Sequence, residues 1–197
     1  MIGRRKDGQG QFFYPPMWWP SMIEASGIGK MRKILITLLI GLMLTVSGEI
    51  VRAGPLEDGI AAYRSGDYAT ALRILRPLAE QGNAAAQLNF GSMYAHGQGV
   101  AQDYREAVKW YRLGAEQGNS TAQVFFGLMY SQGQGVVQDN LRAHMWLNLA
   151  ASKLSGNEAL GAAEGRKMIA KRMTTEQVVR AQEMARQCES RSFKNCD

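Results

Sequence analysis

Residues Ala84 to Gly118 read AAAQLNFGSMYAHGQGVAQDYREAVKWYRLGAEQG, and Ser120 to Asn148 read STAQVFFGLMYSQGQGVVQDNLRAHMWLN, the same pattern displaced by 36 residues. Ala86 pairs with Ala122, Gln87 with Gln123, Phe90 with Phe126, Gly91 with Gly127 and Tyr94 with Tyr130. The match runs on through Gly97 and Gly133, Gly99 and Gly135, Asp103 and Asp139, Ala107 and Ala143, and Trp110 and Trp146. A fixed period of this length marks a stacked-repeat protein, in which each unit buries its apolar face only against its neighbours.

Within a copy the apolar residues follow a helical period: Ala86, Phe90 and Tyr94 on one stripe, Ala107, Trp110, Tyr111 and Gly114 on the next. Each copy therefore predicts two antiparallel helices joined by the loop from His96 to Gln102, with Gly97 and Gly99 supplying positive φ. Gly91 and Gly127 fall inside helices, at about 1 kcal/mol each relative to alanine. That placement predicts close approach of the partner helix, with Trp110 or Trp146 packed over bare backbone. Asp67, Asp103 and Asp139 each stand where an aspartate caps a helix start. Gly82 with Asn83, and Gly118 with Asn119, close one unit and open the next.

Upstream, Asp67, Tyr68, Ala71 and Ala79 stand 36 residues before Asp103, Tyr104, Ala107 and Ala115, so a third, degenerate copy covers about 56–82. It has Ile74 where the others have tryptophan, and its first helix, ending near Ser65, keeps none of the Phe, Gly, Tyr series. Downstream, Leu160, Ala163, Met168 and Met173 predict a helix within 157–172. Thr174 or Thr175 then caps another, through Val178, Ala181, Met184 and Ala185 to about Cys188. The segment 156–189 reads as a C-terminal cap, for which a polar outer face is expected because nothing stacks on it. Arg166, Lys167, Lys171 and Arg172 give it a basic rim that reads as a solvated face.

The first 53 residues are of another kind. Arg32 and Lys33 precede Ile34 to Val46, an apolar run broken only by Thr37, Gly41 and Thr45, and then Val51 and Ala53 flank Arg52. This is the layout of a secretory signal peptide over 31–53, with cleavage expected after Ala53. A spanning helix needs roughly 20 apolar residues, and Glu49 and Arg52 cut this run short. Residues 1–30 carry Phe12, Phe13, Tyr14, Trp18 and Trp19 among prolines without periodicity. They read as a long leader, a partner-binding segment or sequence upstream of a true start at Met31. The charge divides at the same place. Of the net +6, the residues before Gly54 supply +4, from 7 basic and 3 acidic groups. The rest is nearly balanced, so no nucleic-acid footprint is read from it.

Alternating Ala86, Phe90, Gly91, Tyr94, Gly97, Gly99, Val100, Asp103, Ala107, Trp110, Ala115 and Gly118, with the echo 36 residues on, resemble the Sel-one-like repeat (SLR) family, relatives of tetratricopeptide repeats. The likeness is specific over 84–150 and weaker over 56–83. It implies an all-α, right-handed superhelical solenoid of antiparallel helix pairs with terminal capping helices. Its units would cover about 56–82, 84–118, 120–154 and the cap 156–189 of a domain spanning 54–189, followed by a tail over 190–197. The resemblance also implies a concave groove lined by the first helices, where similar proteins hold peptides. Carried over position by position, that groove holds Leu88, Asn89, Ser92 and His96 from one copy and Val124, Phe125, Leu128 and Gln132 from the next.

Catalytic chemistry finds little purchase. His96 and His144 are 48 residues apart with no second ligand at helical spacing, so no metal site is expected. Gly97, Gln98 and Gly99 follow a helix and lack the third glycine of a phosphate loop. No serine stands in a nucleophile elbow. Some cysteine-rich relatives are linked to hydrolysis of cell-wall-related substrates, but neither a nucleophile nor a metal cluster is in sight here. The expectation is a non-enzymatic adaptor without cofactor, exported to a bacterial periplasm or secreted. It would bind a protein or peptide and not nucleic acid. The alternative is a membrane- or cell-wall-associated scaffold, held at a surface by a retained leader or by the basic rim over 166–172. Cys188 and Cys196, an even count in an exported chain, are expected to pair.

Overall fold

Short polar side chains start most of the helices. Asp67 accepts from the Thr70 amide, Asn83 from Ala86, Asp103 from Arg105 and Glu106, Asn119 from Ala122, and Asp139 from Arg142. Thr174 and Gln177 form a reciprocal capping box. The computed structural model describes residues 54–196, and the expectations for residues 1–53 lie outside them. The described residues form eight helices and no strand: α1 Pro55–Ser65, α2 Tyr68–Glu80, α3 Ala84–His96, α4 Tyr104–Glu116, α5 Ser120–Gln132, α6 Asn140–Lys153, α7 Gly156–Ala170 and α8 Thr175–Ser190.

From α1 to α7 each helix packs on the next, the zigzag of a helical-repeat solenoid. Its cohesion comes from one aromatic arrangement made twice. Phe90 meets Trp110 edge-on, ring centroids 5.0 Å apart, and Phe126 meets Trp146 at 5.3 Å. Arg76 lies over the Phe90 ring and Arg112 over the Phe126 ring. Trp146 is fully buried, and a tryptophan so placed is worth roughly 3 to 5 kcal/mol against alanine. Gln87 and Gln123, both buried, donate back to the Ala79 and Ala115 carbonyls at 3.1 and 3.2 Å, tying each unit to the last turn of the one before.

Three sequence expectations are corrected. First, the ring over Gly91 is not Trp110. A Cβ there would stand 2.9 Å from the Tyr111 ring and 3.3 Å from the Ala107 carbonyl. Trp110 points instead to Phe90. Second, the degenerate copy does keep the helix-packing glycine, displaced by four residues. Gly59 is buried and a Cβ there would stand 2.8 Å from Leu75, the residue 36 before Tyr111. Only Gly66 separates α1 from the Asp67 cap, whereas Gly97 to Gln102 separate α3 from Asp103. The shorter loop pulls the first helix out of the 36-residue register.

Third, the outer face of the C-terminal cap, expected to be polar, is interrupted by apolar side chains. α7 and α8 both pack on α6 and hardly on each other. Their outer surface carries Leu160, Met168 and Val179 at 63%, 61% and 55% exposure. After α8 the tail turns sharply, with Ser192, Phe193 and Asn195 all at positive φ. It brings Phe193 against Gly118, and Cys196 to disulfide distance of Cys188, Cα to Cα 5.1 Å.

Candidate protein-interaction surface

The eight residues assigned to the groove lie on the first helices of the two matching units, α3 and α5. Because α3 buries Phe90 and Met93 against its neighbours, Leu88, Asn89 and Ser92 are left half-buried and His96 exposed. On α5 the burial of Phe126 and Met129 leaves Val124, Phe125 and Leu128 half-buried and Gln132 exposed. Leu88, Val124 and Phe125 pack onto the edge of the main core, so the surface is an apolar shelf continuous with the interior.

At its centre Phe125 stacks on Tyr111, centroids 5.3 Å apart and planes 14° from parallel. Tyr111 is fully buried and occupies the hollow that Gly91 leaves open. Burial pushes its phenol up to about 12, and Tyr63 adds to the rise while Ser92 opposes it. Ser92 is near enough to act on the Tyr111 hydroxyl, but no hydrogen bond of good geometry closes on that oxygen, so burial dominates. Ser92 Oγ instead lies 3.0 Å from the Tyr63 hydroxyl of α1. The structure thus brings Phe125, Tyr111, Ser92 and Tyr63 into a line running from α5 back to α1.

The remaining polar groups are partly engaged. Asn89 donates its side-chain amide to the Ala85 carbonyl of its own helix, at 2.8 Å. His96 Nδ1 lies 2.9 Å from the Ser92 carbonyl and 3.4 Å from its Oγ. A carbonyl only accepts, so that Nδ1 carries the hydrogen and does not serve as a base toward the Ser92 hydroxyl. The geometry therefore suits contact with apolar and hydrogen-bonding side chains, not activation of a serine.

Tyr63 and Tyr111 were not among the residues assigned to the groove from sequence. Tyr111 carried a signal, since its counterparts at 36 residues either side are Leu75 and Leu147. A phenol replacing leucine in one copy marks a place where packing does not decide alone. Tyr63 carried none, because it sits on the helix whose register is displaced. Among the described residues no three His, Cys, Asp or Glu side chains are grouped to hold a metal ion. None of the described helices is long and apolar enough to cross a membrane. On the basic rim, Lys167, Lys171 and Arg172 are exposed, while Arg166 donates to the Asn148 side chain at 2.6 Å.

Comparison with known proteins agrees with this architecture. Residues 84–119 and 120–153 each match the family model described as Sel1 repeat. A solved structure of a protective antigen present in uropathogenic Escherichia coli strains, displaying an SLR fold, is similar at 30% identity and a TM-score of 0.64. The match covers 71% of this chain and 31% of that one. A Sel1 repeat protein from Oxalobacter formigenes is similar at 26% identity and a TM-score of 0.52, over 64% of this chain and 57% of that one. The chain therefore spans under a third of the first relative's length and a little over half of the second's. No curated protein shows significant similarity. The Sel1 repeat fold is in general a scaffold for protein–protein interaction. With residues 84–119 and 120–153 each matching that model inside a continuous helical stack, the chain is an all-α helical-repeat protein that carries two Sel1 repeats.

Proposed function

We propose that the protein is an exported adaptor that captures a protein or peptide partner on the α3 and α5 side of its stack. The observation that carries this reading is the Phe125 ring, half-buried on Tyr111 and flanked by half-buried Leu88, Val124 and Leu128. An aromatic held rigid by a second ring loses little freedom on contact, which is the property of an interface anchor. Ser92, Tyr63 and Asn89 lie alongside and suit the backbone and polar side chains of a peptide. Export to the periplasm or the medium is supported by the leader-like layout of residues 31–53 and by two cysteines at bonding distance.

The experiment is quantitative capture from the exported fraction, with the full chain and its Phe125→Ala/Leu128→Ala variant as parallel baits. The variant is expected to bind the captured partner more weakly by more than about 1 kcal/mol while keeping its helical circular dichroism. Equal capture by both baits would remove this face as the interaction surface.

A further inference from the structure

Two junctions in the stack are built from the same residues and finished differently. Gly82, Gln87, Trp110 and Leu113 at the meeting of α2, α3 and α4 correspond, 36 residues on, to Gly118, Gln123, Trp146 and Leu149 at the meeting of α4, α5 and α6. At the second junction Trp146 and Leu149 are 0% and 2% exposed; at the first, Leu113 is 43% exposed and Trp110 only half-buried.

The difference is cover. α8 packs on α6, and the tail beyond it lays the Phe193 ring against Gly118, within 3.2 Å of where a Cβ would stand. Lys153 Nζ sits 4.0 Å from that ring's centroid. At the first junction the tail contributes no aromatic ring; only Lys194 and Asn195 reach its edge. There a crevice of about 680 Å³ remains, lined by Trp110, Leu113 and Gln87, and by Glu80 and Glu116. The Trp110 indole nitrogen is itself buried and has no hydrogen-bond partner among the described residues. Lys194, the residue after Phe193, already shares this lining with the two glutamates.

We propose that this crevice is a second docking site, taking an aromatic side chain on an extended, basic segment of a protein partner, seated as Phe193 is seated on the sister junction. The molecule itself supplies the precedent for the aromatic, since Gly118, the counterpart of Gly82, lies under one. The charge follows from the lining: the exposed Glu80 carboxylate stands at the crevice, and a basic residue next to the aromatic matches it. The apolar gain comes from covering Leu113 and the exposed part of Trp110. The site is distinct from the α3 and α5 shelf, because neither Tyr111 nor any of the eight groove residues lines the crevice.

The test uses the full chain and an end-blocked linear peptide with the sequence of residues 191–195, RSFKN. The Trp110 indole N–H resonance is assigned by its loss in Trp110→Phe. Saturable movement of that resonance is expected, with a dissociation constant on the order of 1 mM for so small a ligand. Replacing the peptide's phenylalanine by alanine, or its lysine by glutamate, should weaken binding about tenfold or more. Leu113→Glu should do the same without changing the melting temperature, and Leu113→Ala serves if the glutamate disturbs folding. Phe125→Ala should leave this binding intact, which separates the outcome from that of the shelf. An unmoved Trp110 resonance at several times that concentration would overturn the proposal, as would equal binding of the alanine peptide. Movement of the Trp146 resonance in its place would overturn it too, showing that the peptide displaces the tail and does not enter the open crevice.

Discussion

Gly135 lies directly on the Tyr104 carbonyl: a Cβ built at Gly135 would stand 2.2 Å from that oxygen and 2.4 Å from its carbon. The loop between α5 and α6 thus rests on the first residue of α4, backbone to backbone, with no flexible side chain that might yield. The earlier loop repeats the arrangement less tightly, Gly99 facing Tyr68 with its nearest atom at 2.9 Å. Both glycines also have positive φ, 70° and 72°. Gly135→Ala therefore meets a dihedral penalty of about 1 to 2 kcal/mol and a backbone clash on top of it. The expected loss is about 3 kcal/mol or more, against a smaller loss for Gly99→Ala, read from urea midpoints at constant m. Equal midpoints for the two variants would show that the loop relaxes away from Tyr104 freely.

Gly59 provides a second test, of register. If it plays the part of Gly91 in the degenerate unit, Gly59→Ala and Gly91→Ala should each cost roughly 1 to 3 kcal/mol, because each forces a methyl against a side chain of the facing helix, Leu75 or Tyr111. Gly161 is the control. It too lies within a helix, but a Cβ there meets nothing within 4 Å. Gly161→Ala should raise the thermal midpoint, since only the helix-propensity gain of about 1 kcal/mol remains. A Gly59→Ala variant as stable as the parent would put the displaced register in error.

That displaced register shows what could be read from sequence and what could not. Asp67, Asp103 and Asp139 were legible as caps because a cap answers to its own next three residues, whereas Asn83 and Asn119 were read only as the join between units. The helices of the two matching units followed from the same local rules plus a period that stacking imposes. A single shortened loop at Gly66 defeats comparison at fixed spacing while leaving the packing of Gly59 untouched. The placement of α8 on α6, not on α7, was illegible for a different reason. Both choices bury the same stripe of Ala181, Ala185 and Cys188, and the decision rests with surfaces far apart in sequence. The shelf was partly legible. Phe125 stood out against Asn89, but its support by Tyr111 depends on a contact between neighbouring units that no local pattern encodes.

His144 ties stability to pH. It is buried on α6, its Nδ1 has no hydrogen-bond partner among the described residues, and burial, with Arg166 nearby, holds its pKa below the usual imidazole value. The folded protein therefore keeps His144 neutral where the unfolded chain already binds a proton. Stability is full above about pH 6.5, the ordinary histidine value, and falls as pH drops from there toward the lowered folded value. Asp67, the carboxylate held low by its Thr70 hydrogen bonds, acts only below its own ordinary value of 3.8, in a separate window. Melting temperatures at several pH values from 7.5 to 5 should decline for the parent, and decline less for His144→Gln whatever its absolute stability. Parallel profiles for the two proteins would assign the pH dependence elsewhere.

The tail predicts a dependence on oxidation. Ser192, Phe193 and Asn195 hold positive φ, a conformation that costs non-glycine residues about 1 kcal/mol or more each unless the surroundings enforce it. What enforces it is the Cys188 to Cys196 link, the hydrogen bond that the Phe193 N–H donates to the Cys188 carbonyl at 2.9 Å, and the Phe193 ring between Lys153 and Gly118. Cys196 is the residue to change, because Cys188 is 2% exposed and a serine there would add a buried hydroxyl. Closing so short a loop is worth roughly 2 to 3 kcal/mol on the chain-entropy account. Cys196→Ser should lower the urea midpoint accordingly, and reductant should bring the parent down to the same value while leaving the variant unmoved. Trypsin should then cut faster at Arg191 and Lys194 in both. Protein taken from its native compartment and denatured without reductant should titrate no free thiol. Two free thiols, with a midpoint indifferent to reductant, would mean that Phe193 holds the tail by packing alone.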